Sequence, residues 1–255
     1  MRRLRDWALT IPFLVAFGVT LLVFDVVGRV VRPFSLRGFE NVMAALQRTL
    51  VALLVISGTK VEVERSPSIE KGEGYALISN HQSIFDIPLI GGLLSRNHPK
   101  YVAKKKLGRW IPSVSLNLRR GGNALIDRNE RVGSIRAIKA MARTAQERGV
   151  SVVIFPEGTR SRDGELGEFR PSGSRAMLAA ADRLPVVPVA IDGSWRLLQN
   201  NLLPVPFGTT IRIKLGDPIA RTKGDAMAVS VAAESWIRET LAGWRSSLPA
   251  EASGE

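Results

Sequence analysis

Two short segments of this chain gather side chains that can move protons and hold anions: Asn80-His81-Gln82-Ser83-Ile84-Phe85-Asp86 and Phe155-Pro156-Glu157-Gly158-Thr159-Arg160-Ser161-Arg162. Each follows a compact apolar run of the kind that forms a buried strand. In the first, His81 precedes Asp86 by five residues. On one regular helix that spacing would set the two side chains about 140° apart, because each residue advances roughly 100°. A turn leading into a helix that starts near Asp86, with Pro88 tolerated in its first turn, would instead let the carboxylate accept from one imidazole nitrogen. The other nitrogen is then free to take a proton from a hydroxyl. That is a histidine base braced by a carboxylate.

The bland account makes His81 a surface turn residue and Asp86 an N-cap. The position right after a buried strand argues for the base instead. His98, beside Pro99 in a polar loop, keeps the bland account. Ser83 fails as a nucleophile: the chain holds no Gly-x-Ser-x-Gly elbow, and a serine two residues from its base is poorly placed. The chain also contains no cysteine, which removes thiolate nucleophiles, thiolate metal sites and disulfides. Chemistry here must use oxygen and nitrogen groups.

The second segment reads as an anion clamp. Gly158 permits a tight or left-handed turn, and Arg160 offers a planar fork suited to phosphate oxygens. Glu157 is expected to orient that arginine or to grip a substrate hydroxyl. A solvated Glu-Arg pair would contribute almost nothing, but Lys104, Lys105, Lys106, Arg119, Arg120, Arg128, Arg162 and Arg170 also fall in loops after or between strands. Gathered on one cleft they would attract a phosphomonoester; dispersed, they would only solubilise.

The elements that must position these segments follow from periodicity. Strands are predicted at 60–65, 75–79, 101–103, 124–126, 150–155, 186–191 and 211–215, with helices near 87–94, 131–148, 174–183 and 226–244. Strands separated by helices predict an α/β fold with a mixed, largely parallel sheet flanked by helices. Ligands of such sheets bind outside the carboxyl ends of the strands, where both segments fall. Residues 59–248 form this domain; 249–255 read as a disordered tail.

Ahead of it, residues 7–24 carry no charged side chain. As a helix they would be about 27 Å long, against a hydrocarbon core of about 30 Å. No Ala-x-Ala cleavage pattern follows, so the segment is expected to be retained. A second apolar stretch, 40–57, carries Gln47 and Arg48 near its middle, which is costly at bilayer depth. Residues 1–58 therefore read as a membrane-associated helix pair, either lying against one leaflet or crossing once through the first helix. Lys and Arg outnumber Asp and Glu by 36 to 23, a formal charge of +13, so the partners are expected to be anionic. Nucleic acid is set aside, because the basic loops carry little aromatic interleaving and no recognisable binding module.

With those residues in view, the chain resembles the glycerolipid acyltransferase family, in particular bacterial 1-acylglycerol-3-phosphate acyltransferases. Four blocks carry the resemblance: His81 with Asp86; Gly122-Asn123-Ala124-Leu125-Ile126-Asp127-Arg128; Phe155 to Arg160; and Val187-Pro188-Val189-Ala190-Ile191. Val102-Ala103-Lys104-Lys105 also resembles the lysine-bearing segment of the family. The second block departs from it at Asn123-Ala124, where larger apolar residues are usual. The resemblance implies that His81 is the general base and Asp86 its partner. Lys105, Arg128, Glu157, Gly158, Thr159 and Arg160 would bind the acceptor. It further implies direct acyl transfer from an acyl-CoA or acyl carrier protein thioester to a lysophospholipid, with no metal or resident cofactor, at the cytoplasmic face of the inner membrane. Two rivals are another lysolipid acceptor, such as a lyso-ornithine lipid, and a non-catalytic binder of anionic membranes.

Overall fold

The computed structural model describes residues 2–246, apart from positions 128, 200, 202 and 223. The expected tail at 249–255 and Arg128 lie outside the described residues. Two helices, α1 (Arg2–Val31) and α2 (Leu36–Ala52), open the chain, and α2 continues as a 3₁₀ turn (Leu53–Ser57). The strands are β1 (Lys60–Arg65), β2 (Ala76–Ser79), β3 (Lys100–Lys104), β4 (Ala124–Ile126), β5 (Val152–Ile154), β6 (Val186–Asp192) and β7 (Thr210–Leu215). Between and after them lie α3 (Asp86–Leu93), α4 (Val114–Arg120), α5 (Arg131–Glu147), α6 (Pro171–Ala180) and α7 (Ala226–Ser246).

The strands form one sheet in the order β1-β7-β6-β2-β5-β3-β4. Every pairing is parallel except β6 with β7, which makes the sheet mixed and largely parallel. The central strands are apolar on both faces, as a sheet covered by helices on both sides requires. Alternation then divides their side chains. Ile78, Val152, Ile154 and Val186 join α5, α6 and α7 in one buried cluster, while Leu77, Val153, Val187 and Ile213 join Phe13 of α1, Leu54 and α3 in another.

The amino-terminal hairpin is thus part of the sheet's own core. Phe13 is 1% exposed, and its ring lies 6.2 Å from that of Phe85 in the histidine loop, with Phe17 at 6.1 Å from the same ring. Burying one such ring contributes about 1.5–3 kcal/mol, enough to hold α1 beside the loop that carries His81. Helix α2 packs on α3 at Gly91 and Gly92, where a Cβ on Gly91 would meet Gln47 and the Tyr101 hydroxyl. Gln47 therefore turns inward onto α3, which explains how a polar residue is tolerated in an apolar helix. The outer side of α1 remains apolar and uncovered: Leu4, Ile11, Val15, Val19, Val26 and Val30 recur at four- or seven-residue spacing, each more than half exposed. Both α1 and the segment Leu36–Ser57 are long and apolar enough to cross a membrane by length and composition.

Candidate active site

Strands β2 and β5 run parallel side by side, with Ile78 opposite Ile154. Their carboxyl ends therefore release the two sequence motifs next to each other. The first loop is anchored across to β6: Asn80 Nδ2 donates to the Ile191 carbonyl and Asn80 Oδ1 accepts from the Ile191 N–H, both at 2.8 Å. The chain then turns, and α3 begins at Asp86 as the spacing predicts.

Asp86 is fully buried, and its carboxylate is saturated. Oδ2 lies 2.8 Å from His81 Nδ1 and accepts from the backbone N–H groups of Gln82 at 2.6 Å and Ser83 at 2.8 Å. Oδ1 accepts from the Ser194 hydroxyl at 2.6 Å. An ionised carboxylate with this many donors holds the imidazole Nδ1–H toward itself, which leaves Nε2 with its lone pair free. The His81 ring stacks on Phe155 at 4.1 Å and its side chain keeps 16% exposure. Among the described residues Nε2 has no protein partner. A ring fixed at one nitrogen and open at the other has the geometry that general-base chemistry on a hydroxyl requires.

The second loop is tied to the backbone of the histidine itself. Glu157 Oε1 accepts from the His81 N–H at 2.6 Å, and the Ser161 N–H donates to the His81 carbonyl at 2.8 Å. The other Glu157 oxygen accepts from Gly167 N–H at 2.9 Å. Glu157 makes no bond to Arg160 among the described residues, against the expectation that it orients that arginine; its oxygens accept from backbone donors and latch three loop segments together. Burial pushes its carboxyl up from the usual range, opposed by the N–H donors of His81 and Gly167. Gly158 adopts φ +68° in the turn, as expected of a left-handed position. Thr159 and Arg160 are exposed and line a cavity of about 340 Å³ with Arg170 and with the carboxylates of Glu157, Asp163, Glu165 and Glu168. Arg160 has no ion-pair partner among the described residues.

The other cations divide. Arg170 joins the cavity, and Lys105 lies just beyond the carboxyl end of β3, on the same edge of the sheet. Arg119 and Arg120 close α4 and lead toward the amino end of β4, where the Arg120 carbonyl accepts from Arg32. The charge is therefore only partly gathered on the cleft. Helix α4, with no predicted counterpart over 114–120, also explains Asn123. Its side chain donates to the Asn117 carbonyl of α4 and accepts from the Tyr101 N–H of β3, a bridging task that an apolar residue could not perform.

Ser194 was not foreseen as part of the site. It stands just past β6 after Gly193, whose φ is +83° and whose added Cβ would come within 2.2 Å of the Thr210 carbonyl oxygen. Gly193→Ala is expected to lower unfolding stability by about 1–3 kcal/mol through the left-handed backbone alone, with the backbone clash adding to it. It should also displace Ser194 from Asp86. Thermal unfolding of the variant tests this, and a melting temperature equal to the parent's would refute it.

A family model described as acyltransferase matches residues 60–192. The 1-acyl-sn-glycerol-3-phosphate acyltransferase of Salmonella typhimurium is 30% identical over 189 residues, 74% of each chain. Its counterpart from Escherichia coli K12 is 29% identical over the same length and coverage. In three dimensions the chain is similar to the crystal structure of the 1-acyl-sn-glycerophosphate acyltransferase PlsC from Thermotoga maritima. The TM-score is 0.77 at 22% identity, over 98% of this chain and 100% of that one, and this likeness establishes the fold.

Proposed function

Because this chain belongs to the acyltransferase family, we propose that it transfers a fatty acyl group from a thioester to the free sn-2 hydroxyl of 1-acylglycerol 3-phosphate, giving phosphatidic acid. The observation that carries this reading is the double tie between the His81 backbone and the loop of Arg160, through Glu157 and Ser161. In the acceptor the free hydroxyl and the phosphate sit on adjacent carbons. A base and a guanidinium fixed to one another by neighbouring backbone groups match that arrangement.

In the reaction, His81 Nε2 takes the hydroxyl proton as the oxygen attacks the thioester carbonyl carbon. Asp86 stabilises the imidazolium that forms. The tetrahedral oxyanion collapses, the carbon–sulfur bond breaks, and the departing thiolate recovers the proton from His81. Thr159 and Arg160 hold the acceptor phosphate in the cavity, Lys105 assists from the edge of β3, and Gly158 and Glu157 shape and fix the loop. Arg128 has the same role by resemblance alone. The donor is an acyl-CoA or acyl carrier protein thioester. The uncovered apolar face of α1 rests in the inner membrane at its cytoplasmic face while the opposite face of the same helix packs on Phe85 of the histidine loop, so that a lipid acceptor need not travel far from the bilayer.

The Arg160→Ala variant is expected to raise KM for the lysophosphatidate at least tenfold with a smaller change in kcat, since a charge-assisted bidentate contact contributes about 1.5–3 kcal/mol to binding. An unchanged KM would remove the phosphate clamp. Assaying a phosphate-free monoacylglycerol and a lyso-ornithine lipid beside lysophosphatidate tests the acceptor. Equal or better use of either would overturn the assignment, and liposome binding without any acyl transfer would leave only a membrane-binding role.

A further inference from the structure

The edge of the sheet opposite His81, where β2 and β3 begin, carries a second and larger cleft of about 620 Å³. Arg37 and Asn41 of α2 line it, with Lys71 ahead of β2 and Arg96 and His98 ahead of β3. The reaction proposed above uses none of them.

Below the cleft one buried carboxylate serves several cations. Glu40, 3% exposed, binds Lys100 Nζ, accepts from Arg148 at 2.8 Å on each oxygen, and lies 3.6 Å from Arg37. Lys71 and Arg96 add positive charge at the rim and have no ion-pair partner among the described residues. The side chains of Glu70 and Glu73, which flank Lys71, are exposed. The balance of the cleft is positive, and its concave wall concentrates that potential.

His98 is the second observation. It is 7% exposed, its Nδ1 is shielded from solvent, and it meets no hydrogen-bond partner among the described residues. Its backbone adopts φ +44°, a left-handed conformation uncommon for a residue with a side chain. Buried polar atoms in native proteins are nearly always paired, and an orphan in a cleft calls for a ligand. Burial first, then Arg37, Lys100 and Arg148, drive its pKa down to about 4, with Glu40 opposing. Three cations outweigh one carboxylate at the position of the ring.

We propose that this cleft binds a phosphate-bearing anion, held by Arg37, Lys71 and Arg96, with the buried imidazole of His98 as its inner hydrogen-bond partner. Such an anion would neutralise the excess cations, and a turn of the His98 ring at the cleft wall would bring its orphaned nitrogen to the anion. Phe34, 86% exposed, stands three residues before Arg37 where α1 gives way to α2, so the headgroup of an anionic lipid can reach the cleft as well as free phosphate can.

The chain has two histidines, so the imidazole proton resonances of the full-length protein in detergent micelles report the site directly, and His81→Ala assigns them. Adding inorganic phosphate, or moving the protein into phosphatidylcholine bilayers containing phosphatidic acid, is expected to shift the His98 resonance saturably. The midpoint of its titration should rise above about 4, because a bound anion favours the imidazolium. A response to phosphate identifies a site for free anions; a response to the acidic bilayer alone identifies a headgroup site. The shift should persist in Arg160→Ala, which separates this cleft from the acceptor site, and the apparent affinity should fall at least tenfold in the double variant Arg96→Gln with Lys71→Gln. The proposal is overturned by a His98 resonance that moves with neither probe, moves equally with chloride at matched ionic strength, or responds unchanged in the double variant.

Discussion

Replacing His81 with alanine is expected to lower kcat by about 10²–10⁴ while leaving the protein folded, the range that a positioned general base contributes. The fold survives because the contacts that organise this loop belong to the backbone of residue 81: its N–H is held by Glu157 and its carbonyl by the N–H of Ser161. Alanine keeps both. What the substitution removes is the imidazole, its hydrogen bond to Asp86 and its stacking on Phe155, the last worth about 0.5–1.5 kcal/mol. Turnover of lysophosphatidate with acyl-CoA, measured beside a thermal melt, separates the two effects. A folded variant that retains activity within tenfold of the parent would exclude His81 as the base.

The second large effect lies at Asp86, where two substitutions divide charge from architecture. In Asp86→Asn the amide oxygen can take the place of Oδ2 and still receive His81 and the N–H groups of Gln82 and Ser83. The amide nitrogen then faces Ser194, whose hydroxyl can reverse and accept. The packing is retained, but the negative charge that steadies the imidazolium is gone. A fall in kcat on the order of 10² is expected, with a melting temperature close to the parent's. Asp86→Ala instead leaves two backbone N–H groups and the Ser194 hydroxyl buried without partners, at about 1–3 kcal/mol each. It should lose stability as well as turnover. An asparagine variant as active as the parent would show that the charge plays no part, and an alanine variant as stable as the parent would show that the carboxylate is not the organising acceptor described above.

The pairing of His81 with Asp86 was legible because it is local. Five residues, a turn and a helix start leave few ways for the two side chains to meet, and all seven strands lie where alternation or compact apolar runs placed them. The mixed sheet could be foreseen for the same reason, since strands spaced by helices admit few other arrangements. Helix α4 escaped because it is one short element, Val114–Arg120, in a stretch without a long periodic signal. Whether the loop cations gather or disperse was open from the sequence, and they are split between the two edges of the sheet.

What the chain alone could not reveal is which remote residues complete the site. Glu157 had the appearance of a partner for Arg160 three residues away, yet its oxygens belong to His81 and Gly167. Ser194 carries no motif, and reaches Asp86 only because β6 lies beside β2 and Gly193 turns the chain. Local spacing was enough to pair His81 with Asp86 and to set out the arginine loop, since bonded geometry and hydrogen-bonding capacity act over a few residues. Tertiary structure alone decided the company they keep, the latch by Glu157, the hydroxyl of Ser194 and the seat of α1 beside the site. The contacts of Glu157 with His81 and of Ser194 with Asp86 span 76 and 108 residues, and at such separations it is the order of strands in the sheet that selects neighbours.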